Sequence, residues 1–259
     1  MLDLREVWKY RDVLLMLALR DVKLRYKQTA IGVVWVVLQP VLAGVIFAVI
    51  FGKFAALPSD GQPYLLFVLC GLLAWNLFAG VLQRAGNSLV AEARLITKVY
   101  FPRVLIPTAA AASAVLDFLV ACVVFFALFL WYGIHVDYSV FLLPLAMGLA
   151  LVLAVGVSLW VSALNVRYRD FGYALPFLIQ VWMYASPVVY GISMIPDRWQ
   201  TLYGLNPMVG IIGLFRDALL STQSCEAVHV CVAVVVSIAF LVSGALYFSS
   251  VEQDFADTL

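Results

Sequence analysis

The residues able to do chemistry in this chain are few and sit among apolar neighbours. Asp117 stands alone in a run from Val104 to Tyr132, with no basic residue near it in sequence. It reads either as an ion-coupling site or as an acid kept neutral or bonded to a neighbouring helix. Lys23, Arg25 and Lys27 alternate just ahead of the first long apolar stretch. Such residues supply charge-assisted donors to a compact anion, and they equally serve to set topology and meet anionic lipid. His135 and His229 lie far apart without acidic or cysteine neighbours, and Cys70, Cys122, Cys225 and Cys231 show no metal-binding spacing. No metal site is expected. There is no G-x-x-x-x-G-K-[ST] loop to hold nucleotide phosphates, and no G-x-S-x-G, H-E-x-x-H or paired-acid constellation. The chain is expected to be non-catalytic, to hold no cofactor of its own, and to draw on an energy source located elsewhere.

A second kind of chemistry is suggested by two stripes. Gln28, Gly32, Trp35, Gln39, Ala43 and Phe47 recur at steps of three and four, which is one face of a helix. Tyr173, Phe177, Gln180 and Tyr184 do the same in a later stretch. An unsatisfied amide in hydrocarbon costs several kcal/mol, so glutamines at depth argue against a lipid-facing surface. The stripes mark either the wall of a passage or helix–helix packing, a subunit interface included.

The elements that must carry these residues are membrane helices. With 259 residues, 65% hydrophobic, 12% charged and a mean hydropathy of +1.03, the chain is a polytopic membrane protein. A removable signal peptide is not expected, because Asp3, Arg5, Glu6, Lys9, Arg11 and Asp12 precede any apolar core. Six stretches are long enough to cross: about 30–51, 64–82, 104–132, 138–164, 173–190 and 227–248. Pro176 and Pro187 interrupt the fifth, which hydrocarbon tolerates only where neighbours satisfy the freed carbonyls. Thirteen basic residues fall in the N-terminal arm and the second and fourth loops, against three (Lys53, Arg198, Arg216) on the other side. That bias places both termini in the cytoplasm.

Three further features flank the spans. In the N-terminal arm Leu4, Val7, Trp8, Leu15 and Ala18 share a helical face, with Glu6, Lys9 and Asp12 away from it, as in an amphipathic interface helix. In the second loop, a helix from about Asn87 to Tyr100, capped at Asn87 or Ser88 and ended by Pro102, puts Leu89, Ala93, Ile96 and Tyr100 on an apolar edge near Glu92. Outside, Pro196 and Asp197 open one short helix. Asn206 and Pro207 open a second, with Ile211, Ile212, Phe215 and Leu219 on its apolar face, so the two form a helical hairpin dipping into the outer leaflet.

The run NVRYRDF…PFLIQVWMYASPVVY, followed by IPDRWQTLYGLNPM, is similar to permease subunits of ATP-binding-cassette exporters that move bacterial polysaccharides such as O-antigen, capsule or teichoic acid chains. The resemblance extends from DVKLRYKQT at 21–29 to Phe255-Ala256-Asp257, although Ser249 and Ser250 stand where that family carries basic residues. It implies one all-α membrane domain over residues 1–259, with six spans, an interface helix, a cytoplasmic coupling helix and an external re-entrant hairpin. It implies a homodimer with two copies of an ATPase subunit that carries the ATP and Mg, in a bacterial inner membrane. The cargo would be a lipid-linked polysaccharide, most simply O-antigen on undecaprenyl diphosphate; membrane lipids are the other contact, and no nucleic acid is expected. The resemblance further implies ATPase coupling through Leu89, Glu92, Ala93, Ile96 and Tyr100. The channel would be lined by Gln28, Trp35, Gln39, Phe47, Tyr173, Phe177, Gln180 and Tyr184. Lys23, Arg25 and Lys27 would meet the lipid diphosphate, and Trp199, Tyr203, Ile211 and Phe215 would form an external gate. A drug or small-lipid exporter permease is the nearest alternative, and a membrane-embedded glycosyltransferase a more distant one.

Overall fold

A computed structural model describes residues 8–27, 32–99, 101–134, 137–222, 225–252 and 255; for 25–27, 32–34, 36 and 37 it describes the backbone alone. Among the described residues all regular structure is helical. In chain order the α-helices are α1 (Arg11–Lys27), α2 (Gly32–Phe47), α3 (Tyr64–Ala91), α4 (Ala93–Ile96), α5 (Leu105–Trp131), α6 (Leu143–Arg167), α7 (Asp170–Tyr184), α8 (Asp197–Gly204), α9 (Pro207–Leu220) and α10 (Ala227–Val251). A π-helical turn, Ala48–Phe54, extends α2, and a 3₁₀ turn, Tyr138–Leu142, leads into α6.

Among the described residues, four helical segments meet the length and hydropathy needed to cross a bilayer: Tyr64–Ala91, Leu105–Trp131, Tyr138–Arg167 and Ala227–Val251. Of the other two expected spans, the first is carried by α2 and its π-helical extension, which together run from Gly32 to Phe54. The 15 residues of α7 fall below that length. At 1.5 Å per residue α7 reaches only about 22 Å, against a hydrocarbon core of about 30 Å. Its chain goes on through Ala185–Gly191 without α-helix; Pro176 is accommodated inside α7, while Pro187 lies in the irregular segment beyond its end.

α3 is the centre of the bundle. Of its most apolar 18-residue window 78% is buried, against 17% in α10, so α3 is wrapped by protein while α10 shows most of its surface to the outside. α3 packs on α5 and α6, and α6 on α10. Small residues allow these crossings. A Cβ on Gly156 of α6 would lie 2.5 Å from the Leu241 nitrogen of α10, and one on Gly244 would lie 2.4 Å from the Gly156 oxygen. Without a hydrophobic drive between helices in lipid, such close backbone contact is what holds them. Beside it Trp160 stacks on Tyr247 at 4.3 Å and donates its indole N–H to the Ser243 hydroxyl.

A second core closes the end of the bundle where α1 meets the last turns of α10 and Phe255. Leu17 of α1, Leu89, Ile96, Phe101, Val104 and Leu105, Val166 of α6, Phe248 of α10 and Phe255 form one buried cluster. Phe255 lies edge-on to Phe248 at 5.3 Å. The Arg103 backbone N–H donates to the Glu252 carboxylate at 2.8 Å, and its guanidinium donates to the Glu252 carbonyl. The tail is therefore a plug for this end, a role its sequence did not disclose.

Candidate functional site

The irregular segment after α7 leaves its carbonyls without helical partners, and those of Ala185, Pro187, Val188, Val189 and Tyr190 find donors from elsewhere in the chain. Asn206 donates to the Ala185 carbonyl (2.8 Å) and the Ser186 hydroxyl (3.0 Å), while its side-chain oxygen accepts from the Met208 N–H and the Trp182 indole. One side chain thus caps α9, as its sequence position predicts, and pins the end of α7. Tyr64 donates its hydroxyl to the Val189 carbonyl at 2.6 Å. Arg216 donates to the carbonyls of Pro187 (2.7 Å), Val188 (3.1 Å) and Tyr190 (3.2 Å).

Arg216 is the residue sequence reasoning missed. Taken as an exposed external charge, it is in fact only 3% exposed, with its guanidinium 3.7 Å above the Phe67 ring. Its Nε has no hydrogen-bond partner. The signal in the sequence was a single arginine inside the apolar helix Pro207–Leu220. Gly71 of α3 completes the arrangement, because a Cβ there would lie 2.2 Å from the Val188 oxygen. The broken end of α7 is thus clamped between α3 and α9.

The hairpin helices α8 and α9 form where expected, Asp197–Gly204 and Pro207–Leu220. The four proposed gate residues are not one surface. Ile211 and Phe215 are fully buried in the main core, Phe215 edge-on to Phe118. Trp199 is exposed, and Tyr203 pairs its hydroxyl with that of Tyr190 at 2.9 Å. Trp199 and Tyr203 line, with Trp182, Leu202 and Asn206, an open aromatic groove of about 430 Å³.

The α7 stripe faces away from the chain. Only Leu175 and Ile179 of this helix are buried, while Tyr173 (87% exposed), Phe177, Gln180 and Tyr184 point outward. Gln180 donates to the Tyr184 hydroxyl at 3.3 Å. In α2 Trp35 and Gln39 are also outward, whereas Phe47 is partly covered by the main core and meets Phe51. Gln28 lies outside the described residues.

The ATPase-coupling edge is not free. α3 continues unbroken to Ala91, with Asn87 and Ser88 bonding back to Gln83 and Ala85 rather than capping a new helix. Leu89 and Ile96 are buried in the chain's own cluster with Phe255 and Phe248. Ala93 is half-buried, and Tyr100 lies outside the described residues. What this turn exposes is Arg94, Thr97, Lys98 and Val99. The apolar periodicity was real, but it records packing within the chain.

Two ion pairs lie nearby. Asp117 of α5 is bound by the guanidinium of Arg84 in α3, which also donates to Ser113 at 3.0 Å. The lone acid of the sequence thus has a basic partner 33 residues earlier. Arg20 of α1 forks onto Glu92, Nη2 to Oε1 at 2.5 Å and Nη1 to Oε2 at 3.2 Å, and also meets Asp21. The hydrogen bond to Glu92 is the largest influence raising the Arg20 pKa, against a lowering from burial. Both pairs border a cleft of about 450 Å³ between α1, α3 and α5. Lys23 is exposed nearby; the side chains of Arg25 and Lys27 lie outside the described residues.

A bundle with one short, outward-facing helix and exposed polar stripes presents surfaces its own chain leaves uncovered, and comparison identifies the kind of machine. Residues 13–220 match the family model described as ABC-2 type transporter. The chain belongs to the ABC-2 type transporter family. It is 26% identical over 257 residues to an O-antigen export system permease protein of Myxococcus xanthus, covering 98% of each chain. It is 28% identical over 250 residues to one of Klebsiella pneumoniae, covering 96% of this chain and 95% of that one. A polysialic acid transport protein of Escherichia coli is 26% identical over 216 residues, 82% of this chain and 83% of its own. The ABC-2 match ends with α9, so the Glu252–Phe255 plug lies beyond it.

Proposed function

We propose that this ABC-2 chain is the permease of an ATP-driven exporter of bacterial polysaccharide, most simply O-antigen. Two copies pair in the inner membrane, with six crossings each and both termini cytoplasmic, and two separate ATPase subunits supply ATP and Mg. The cargo is carried on a lipid diphosphate such as undecaprenyl diphosphate. Full-length similarity to O-antigen permeases supports this reading, and the α7 stripe is the structural observation that carries it.

On that stripe, aromatic rings offer flat faces to the C–H patches of sugar rings, and Gln180 and Tyr184 exchange hydrogen bonds with hydroxyls. Many shallow contacts let a polymer enter without trapping it, the compromise met in ion channels. α2 and α7 with the α8–α9 hairpin then form the passage, α8 and α9 dipping into the outer leaflet. The ATPase meets Arg94, Thr97, Lys98 and Val99, the outward surface of the second loop, rather than Leu89 and Ile96. A small-lipid or drug exporter would use the same assembly with a different passage.

Deletion of the gene tests the cargo: finished polymer should accumulate inside the cell, and normal surface polymer would refute the assignment. A cysteine at Gln39 or Gln180, probed with a water-soluble thiol reagent in the working complex, tests the wall. Labelling should rise when ATP and cargo are supplied. Permanent inaccessibility, with export intact after Trp35→Ala and Tyr184→Ala, would assign the stripe to subunit packing.

A further inference from the structure

Glu92 occupies the point where α3 ends. Its backbone leaves the helix at φ −103°, ψ 22°, and its side chain makes no cap to α4. Its carboxylate instead crosses to Arg20, where both oxygens take both terminal nitrogens of the guanidinium. A two-point fork fixes direction as well as distance, which a single contact does not.

The surroundings of that fork differ on its two sides. The residues of α1 that pack on the buried cluster, Val13, Leu14, Leu17 and Ala18, all lie in its first part, with Tyr10 just ahead of it. Beyond them Lys23 and Leu24 are exposed, and the 450 Å³ cleft separates this end of α1 from Arg84, Ile106, Ala109 and Ser113. Close-packed interiors transmit displacement, whereas a cleft does not. Across the cleft it is the Arg20–Glu92 fork that bridges the end of α1 to the turn carrying Arg94, Thr97, Lys98 and Val99. The other ion pair, Arg84–Asp117, ties α3 to α5 and leaves α1 untouched.

We infer that the Arg20–Glu92 pair is a positioning link that carries movement of the ATPase-facing turn to the end of α1, and so to the basic residues from Lys23 onward that precede the first span. The inference rests on the permease reading above. As a partly exposed pair it adds little to stability. Its work is directional, and α1 swings across the cleft when the turn is pushed.

The test uses the whole permease–ATPase complex in vesicles of phosphatidylethanolamine and phosphatidylglycerol, with Lys23→Cys in a background lacking the four native cysteines. The rate of modification by a water-soluble maleimide is compared with and without ATP. In the parent complex ATP should change that rate by at least about fivefold, the low end of ordinary coupling between sites. Arg20→Ala and Glu92→Ala should each remove the response, Arg20→Lys should leave part of it, and the reversal Arg20→Glu with Glu92→Arg should restore most of it. Arg20 lies off the ATPase-facing turn, so Arg20→Ala keeps the test valid where Glu92→Ala loosens the ATPase. An ATP response unchanged by Arg20→Ala overturns the link, as does a parent complex that exports polymer without any response at Lys23→Cys. Failure of the unmodified chain to co-purify with an ATPase is a different result, and it removes the permease reading itself.

Discussion

Replacing Arg216 by methionine tests whether the broken end of α7 is held by one buried cation. The substitution keeps the long apolar stem but removes donors from the carbonyls of Pro187, Val188 and Tyr190. Tyr190 is half-buried and can turn to water, whereas Pro187 and Val188 are buried. Two buried carbonyls left unpaired cost about 2–6 kcal/mol. The guanidinium over Phe67 adds on the order of 2 kcal/mol to the loss. Against this, the native state no longer buries a charge whose Nε is unpaired, which returns several kcal/mol. The balance is a loss of about 2–4 kcal/mol, or roughly 5–15 °C in unfolding temperature for a chain of this size. Purified permease in detergent would be heated and followed by tryptophan fluorescence, since Trp182 and Trp199 flank the segment. Arg216→Lys should recover less than half, because an ammonium on a shorter stem cannot reach three carbonyls from one plane. An Arg216→Met protein as stable as the parent would refute the clamp, and full recovery by lysine would reduce Arg216 to a charge.

Three further outcomes follow from the packing. Asp117→Asn leaves the Arg84 guanidinium without its counter-charge and should cost about 1–3 kcal/mol in thermal unfolding, most of it regained with Arg84→Gln; export that stays absent in the stable double variant would revive Asp117 as a coupling site. Gly156→Val places carbon against the Leu241 backbone and should cost more than about 2 kcal/mol or prevent folding, while Gly148→Ala, with open space around it, should be silent in the same melt. Phe255→Ala empties a buried ring site and should cost about 3–5 kcal/mol, seen as earlier unfolding and faster proteolysis at the end of the bundle that holds Phe255.

Hydropathy and periodicity reached far here because the bilayer leaves few choices. Three of the four long helical segments end within about three residues of their expected limits, whereas α3 runs nine residues past the expected 82, and Asn206–Pro207 opened α9 as a local cap must. What stayed hidden is pairing at a distance. Arg84 with Asp117, Arg20 with Glu92, Arg216 with the 187–190 carbonyls and Glu252 with Arg103 join residues 26 to 149 positions apart. No local pattern encodes such partners. The coupling edge shows the opposite failure, where Leu89 and Ile96 announced a buried face correctly but not what buries it. Nothing in a helical wheel separates a partner protein from the chain's own tail.

The partnered groups also bear on the role proposed for the α7 face. Asn165 donates to the Gly86 carbonyl and to Asn87, Asn206 serves four groups, and Arg216 is spent on three carbonyls. These three polar side chains are thus met from inside the chain. Gln180, like Gln39, is exposed in mid-helix, and it is turned to Tyr184, which is itself exposed. A glutamine left toward lipid tails would bear a desolvation cost. Something outside the chain must therefore meet that face, either a second subunit or a water-filled passage. Tyr173 and Phe177 on the same side make a surface too aromatic for water alone, which suits a cargo that presents both hydroxyls and C–H faces. The short α7 fits the proposed function: clamped by Arg216, Asn206 and Tyr64, its end is fixed against α3 and α9, and under that proposal one fixed point would position both the wall and the exit.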